Sequence, residues 1–131
     1  MNNWKNLFVF SAIICCFFYA FGEITINIDV TPKVLNIQSK SRVVTVHTNI
    51  DYDVVVGSSV KLNGIKINSW KADDRGNFVA KFLSDEVKHL DNLVIDGFNE
   101  ITLTGITVDE KEFIGRQDIK IISVAPTGKS K

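Results

Sequence analysis

From Ile24 onward, apolar residues fall at every second position: Ile24, Ile26, Ile28 and Val30 alternate with Thr25, Asn27 and Asp29. A period of two predicts a strand with one covered face. Pro32 ends the run, because proline cannot donate to a ladder, and Val34, Leu35 and Ile37 make a second short piece. Such a break is expected where the first strand of a sandwich crosses between sheets. The alternation returns from Arg42 to Asn49, with Val44 and Val46 opposing Val43, Thr45 and His47. Asn63-Gly64, set between Val60-Lys61-Leu62 and Ile65-Lys66-Ile67, predicts a type I′ hairpin. Its register places Leu62 opposite Ile65, Val60 opposite Ile67, and Lys61 opposite Lys66 on a wet face. A second hairpin joins Trp70-Lys71-Ala72 to a strand with Phe78, Ala80 and Phe82 on a core face, turning through Asp73 to Asn77. Ser84 reads as the N-cap of a helix from Asp85 to Leu90, with Val87 and Leu90 inward.

The last third carries two more period-two runs, Glu100 to Val108 and Glu112 to Ile122, around a charged turn at Asp109 to Lys111. Ile119 and Ile121 alternate with Lys120, which assigns one face of the closing strand to the core. Asp118 reads as the start of that strand, accepting hydrogen bonds from nearby groups. Gly64 and Gly76, and with them Asn63, Gly105 and Gly115, read as structural turn positions. About seven strands and one short helix predict an all-β, antiparallel, immunoglobulin-like β-sandwich over residues 23 to 125.

Three stretches carry a more specific likeness: Leu103-Thr104-Gly105 with Glu112-Phe113-Ile114-Gly115 and Asp118 to Ile122; Ile28, Val30, Pro32, Leu35, Asn36, Ile37, Ser39 and Lys40; and Asp53, Val56 and Ser58 to Gly64. They resemble the immunoglobulin-like and fibronectin-type-III-like accessory modules of secreted and cell-surface proteins of bacteria and archaea. The resemblance implies a structural or adhesive role in a larger assembly. This chain departs from the pattern at Asp109-Glu110, where those modules often have Asp-Gly.

Composition adds a compartment. Lys5 precedes an apolar run from Leu7 to Phe21 broken only by Ser11, and Ala20-Phe21-Gly22 offers small residues to a signal peptidase. Residues 1 to 22 are therefore expected to be a signal peptide. The competing reading is a membrane anchor, but fifteen residues of helix span roughly 22 Å against a hydrocarbon core of about 30 Å. Both cysteines, Cys15 and Cys16, lie in this run, and Ile14 stands before Cys15 where lipidation expects a small residue. The remainder holds no cysteine, which excludes a disulfide framework and a cysteine zinc site. It carries 14 Lys and Arg against 15 Asp and Glu, so a nucleic-acid partner lacks its basic surcharge. Membrane contact is expected only through the signal segment. The end of the chain, 126 to 131, holds Pro126 and Gly128 and is expected to be a flexible tail.

Chemistry is sparse. No G-x-S-x-G elbow and no H-E-x-x-H motif occurs, and His47 and His89 read as surface residues. Carboxylates pair at Asp51/Asp53, Asp73/Asp74 and Asp109/Glu110/Glu112, all in expected loops. Asp73, Asp74 and Asn77 are the candidate calcium ligands, although Arg75 intrudes and no bidentate Glu follows. Trp70 is the candidate platform for a sugar, and its competing role is packing against the sheet. The four Phe residues after position 22 fall at core-like positions. No catalytic residue or cofactor is assigned. The expected function is that of an exported, non-enzymatic module for structure or protein interaction, secreted, periplasmic or at the cell surface; the alternative is a carbohydrate- or calcium-binding module. Intact-mass measurement of the exported protein is expected to give a chain that starts at Glu23, and recovery of a full-length, membrane-embedded chain would overturn the signal-peptide assignment.

Overall fold

In a computed structural model, residues 23–125 are described; residues 1–22, with the expected signal segment, Cys15, Cys16 and the expected processing site at Gly22, and residues 126–131, the expected tail, lie outside them. The described residues form ten strands, β1 (Glu23–Thr25), β2 (Ile28–Thr31), β3 (Val34–Asn36), β4 (Val43–Asp51), β5 (Lys61–Leu62), β6 (Ile65–Lys66), β7 (Ser69–Ala72), β8 (Asn77–Leu83), β9 (Gly97–Ile106) and β10 (Glu112–Ile122), and one short helix, α1 (Ser84–Lys88). The smaller sheet has the order β2-β4-β8-β7. The larger runs β1-β10-β9-β5-β6, with β3 also on β10. This is the strand order of an immunoglobulin-like sandwich, A-B-E-D facing G-F-C.

Alternation sorts the faces. Along β4 every second residue from Val44 to Ile50 is buried, and Phe78, Ala80 and Phe82 on β8 meet them in the same layer. The larger sheet contributes Leu62, Ile101, Leu103, Phe113, Ile119 and Ile121 to the same core. The closing hairpin is the longest ladder, pairing Gly97 with Ile121 through to Ile106 with Glu112.

The first strand divides more finely than its alternation suggests. β1 lies parallel to β10 at Glu112 to Ile114, β2 joins β4 in the other sheet, and β3 returns parallel to β10 at Lys120 to Ile122. The second crossing falls at Pro32, as expected, but the first falls at Ile26 and Asn27, where the apolar period continues unbroken. Ile24 is consequently exposed while Ile26 and Val30 are buried. Gln117 ties the halves together, its Oε1 accepting from the Val30 N–H at 3.1 Å.

The hairpins follow their turn chemistry. Asn63 and Gly64 have φ of 48° and 86°, and Leu62 pairs with Ile65 and Lys61 with Lys66. Gly76 has φ of 82° in the β7–β8 turn. At the β9–β10 turn Glu110 holds φ of 66°, so a side-chain-bearing residue occupies the left-handed place that Asp-Gly would fill with glycine.

Four expectations need correction. Gly105 and Gly115 are not turn residues; they sit inside β9 and β10, where a Cβ would strike Phe113 and Val60 in one case and Ile28 and Ile26 in the other. Their role is close approach. Ser84 is not a cap: α1 begins at Ser84 itself, directly out of β8, and no side chain caps it. The Ser84 N–H still pairs with the Arg42 carbonyl at 2.9 Å, and its hydroxyl points to the core side, buried and without a hydrogen-bond partner. Asp118 lies in the middle of β10 opposite Glu100, not at its start, and no hydrogen bond to its side chain is present among the described residues. Phe98 departs from the other three Phe, which are buried, and is 69% exposed.

Ile121 is fully buried and Lys120 stands on the opposite face. Ile121→Ala is expected to cost about 2 to 5 kcal/mol by leaving a cavity. Lys120→Ala, which uncovers only a side-chain stem, should cost below about 1 kcal/mol. Equilibrium urea unfolding checks the pair, and equal midpoints would contradict the register of β10.

Candidate functional site

The polar residues singled out for chemistry are engaged in building turns. In the β7–β8 turn, Asp73 Oδ1 accepts the backbone N–H groups of Arg75 at 2.8 Å and Asn77 at 2.9 Å. The Asn77 N–H foremost, helped by the Arg75 N–H and the charges of Arg75 and His47, holds the Asp73 carboxyl below its ordinary value against a desolvation second only to the Asn77 bond. Asn77 itself belongs to β8, opposite Asp51. The candidate calcium residues thus form an Asx-type turn, and no group of three or more His, Cys, Asp or Glu among the described residues is placed to hold a metal ion.

The other carboxylate groups behave alike. Asp51 Oδ1 accepts the Asp53 N–H at 3.0 Å and caps the 3₁₀ turn Tyr52–Val54. Thr107 Oγ1 donates to Asp109 Oδ1, and this bond leads the depression of the Asp109 carboxyl below its usual value. Thr107 Oγ1 also accepts the Lys111 N–H at 3.0 Å, which closes the β9–β10 turn. The histidines lie apart: His47 stands on the exposed face of β4 opposite Asp29, whereas His89 Nδ1 donates to the Asp85 carbonyl at 2.6 Å after α1.

Trp70 occupies the inner side of edge strand β7, opposite Ala80, and its indole lies on the buried backbone of Gly57. A methyl group at Gly57 would penetrate the ring. The side chain is 40% exposed, so one ring face is committed to packing and the rest meets solvent.

What the structure brings together lies at the opposite end of the larger sheet. Val34 pairs with Lys120, and Lys120 with Phe98, so the three cross the outer face in one row. Ile122 is the diagonal neighbour of both apolar residues. Val124 is tied beside them by two hydrogen bonds with Asn36: its N–H donates to Oδ1 at 3.0 Å and its carbonyl accepts from Nδ2 at 2.8 Å. On the other flank Asn99 clamps the preceding loop, taking the Val94 N–H at 2.7 Å and donating to the Val94 carbonyl at 3.0 Å. Val34 and Val124 are exposed, and Val94 and Ile95 are exposed in the loop before β9, where Val94 lies against Gly97. Lys120, half-buried, lays its stem through the middle of this apolar end.

No family model, no curated protein and no solved structure matches this chain.

Beside the patch, below the Asn63-Gly64 turn, is a groove of about 390 Å³ lined by residues that include Leu90, Asp91, Leu93 and Glu100. Neither feature was named from sequence. A signal existed for Phe98, which shares strand parity with Glu100, Thr102 and Thr104, all of them outward. For the groove there was none, because it depends on where β5 stops relative to β9.

Asp73 sets a pH test. Its folded value lies below the unfolded one, so its contribution is present above the ordinary carboxylate range and is lost as pH falls through the depressed value. Asp73→Asn is expected to melt below the wild type at pH 7 and to converge on it below about pH 4. Thermal scans from neutral to acid pH check this, and a constant gap would show that the charge is not what holds the turn.

Proposed function

We propose that the chain is an exported, non-enzymatic β-sandwich module that works by binding another protein in the periplasm, at the cell surface or outside the cell. The single observation that carries this is the apolar end of the larger sheet. An aromatic side chain 69% exposed in a regular strand, in one row with Val34 and diagonal to Ile122, gains little from folding. Contiguous apolar surface of this kind marks interaction sites. The resemblance to accessory modules of secreted proteins and the apolar N-terminal run point to the same compartment.

The same surface explains why structure alone gives Phe98 no purpose. Its cross-strand partner is Lys120 and its neighbour along the outward face is Glu100, and beside both it stays largely exposed. A partner that buries the ring would take it from water together with its neighbours, and aromatic anchors contribute strongly in such contacts. The alternative reading, sugar or calcium binding, draws less support: Trp70 commits one face to Gly57, and Asp73 commits its Oδ1 to the turn.

A photo-reactive amino acid placed at position 98 in the producing cells is expected to give one discrete crosslinked protein, with none from position 71 on the other sheet. Identical patterns from both positions, or no adduct from 98, would overturn the interaction role. Phe98→Ser should abolish the association while leaving the melting temperature within a few degrees, because little of the ring is buried.

A further inference from the structure

The ladder on the β5 side of β9 ends before β9 does. Residues of even number on β9 turn their backbone groups to that side: the Ile106 carbonyl accepts from Val56 at 2.9 Å, and the Thr102 carbonyl from the Asn63 N–H at 2.9 Å. At Asn63 the main chain turns away, and its side chain takes over the next positions. Asn63 Oδ1 accepts the Thr102 N–H at 2.6 Å, and Nδ2 donates to the Glu100 carbonyl at 3.2 Å. Beyond it the Glu100 N–H and both backbone groups of Phe98 face the same side, and no hydrogen bond meets them there among the described residues.

An open edge in water is common, but this one borders the groove of about 390 Å³ on the line that β5 would follow if it continued. Unpaired N–H and C=O groups template an added strand. Alternate side chains of such a strand would fall on the Phe98 side and toward the half-buried Leu90 and Leu93. The charges lining this groove are Asp91 and Glu100, both acidic. Arg116 approaches Glu100 only from the outer face, at 3.9 Å, with both side chains more than half exposed. Lys66 and His89 line, with Glu86, the adjoining hollow beside Gly64, and Asp91 borders both hollows.

We infer that the free edge of β9 at Phe98–Glu100 takes up an extended peptide segment as an added strand, and that a lysine or arginine on that segment meets Asp91 and Glu100. This rests on the protein-binding role proposed above and specifies how the partner is held. Main-chain bonds would supply affinity, the two carboxylates the preference for a basic segment, and Phe98 an apolar wall.

The test uses a fluorescent peptide, Thr-Val-Lys-Val-Lys-Val-Thr, with two controls: glutamate in place of both lysines, and N-methylation at alternate residues to remove the donors that pair with an edge. Fluorescence polarisation should show saturable binding of the lysine peptide, at least tenfold weaker binding of the glutamate peptide and none of the N-methylated one. Asp91→Lys combined with Glu100→Lys should invert the charge preference at an unchanged melting temperature. Hydrogen exchange at the Glu100 amide should slow on binding. Equal binding of all three peptides, no saturable binding, or an unaltered Glu100 amide would overturn the edge assignment. The crosslink at position 98 is read separately: an adduct there with failed peptide binding keeps the interaction role and rejects only this mode.

Discussion

Register between β9 and β10 is the constraint on which the rest of the structure depends. One unbroken pairing, from Gly97 with Ile121 to Ile106 with Glu112, decides that Ile101, Leu103, Ile119 and Ile121 face the core. A slip by one residue would put Asp118 and Lys120 into that core and the isoleucines into water. The two glycines inside the ladder belong to the same constraint. Gly105 leaves room for Phe113 and Val60, and Gly115 for the side chains of Ile26 and Ile28, so the sheets close only where these positions have no Cβ. β10 also supplies the free edge on which β1 and β3 lie in parallel, which lets one N-terminal segment contribute to both sheets.

Where the ladders stop, side chains take the place of backbone. Thr48 sits in the irregular step of β4 between His47 and Asp51, and its hydroxyl donates to the buried Phe78 carbonyl at 2.6 Å. Gln117, Asn36, Asp73 and Thr107 do the same at the edges and turns. Each supplies a partner to a backbone group that would otherwise lose its bond to water without replacement. Polar residues employed in this way are tied to architecture, and this is why the carboxylate pairs that stand out in the sequence do not converge.

Much of this was legible because it is local. Asn63-Gly64 demands a particular turn, Asp73 to Asn77 spells another, and the parity of Ile119 and Ile121 assigns a face without reference to any other strand. The features that escaped are relational. Ile24 to Val30 has one continuous period, yet the chain changes sheets between Ile26, still bonded to the Ile114 carbonyl of β10, and Asn27, whose carbonyl accepts the Asn49 N–H of β4. Ser84 has the spelling of a cap, but it leaves a strand whose inward parity carries its hydroxyl into the core. Gly105 and Gly115 look like turn residues until the side chains across the core are placed. The apolar end and the groove belong to this second kind, since both depend on which strand ends first.

That order of endings links turn chemistry to the surface available for binding. β5 could add rungs opposite Glu100 and Phe98 only by running on past Leu62, and a two-residue turn at Asn63-Gly64 forbids it. The turn is compact and favourable, with Asn63 and Gly64 both at positive φ. Its consequence is a neighbouring strand that outlasts its partner, and the carboxamide of Asn63 covers only the next rung. Phe98 is left at the end of β9 with neither a strand beside it on that side nor a cover above it. A longer β5 would satisfy these backbone groups and fill the groove. The same change would remove the one place in the larger sheet where an open edge, an exposed aromatic ring and two carboxylates meet.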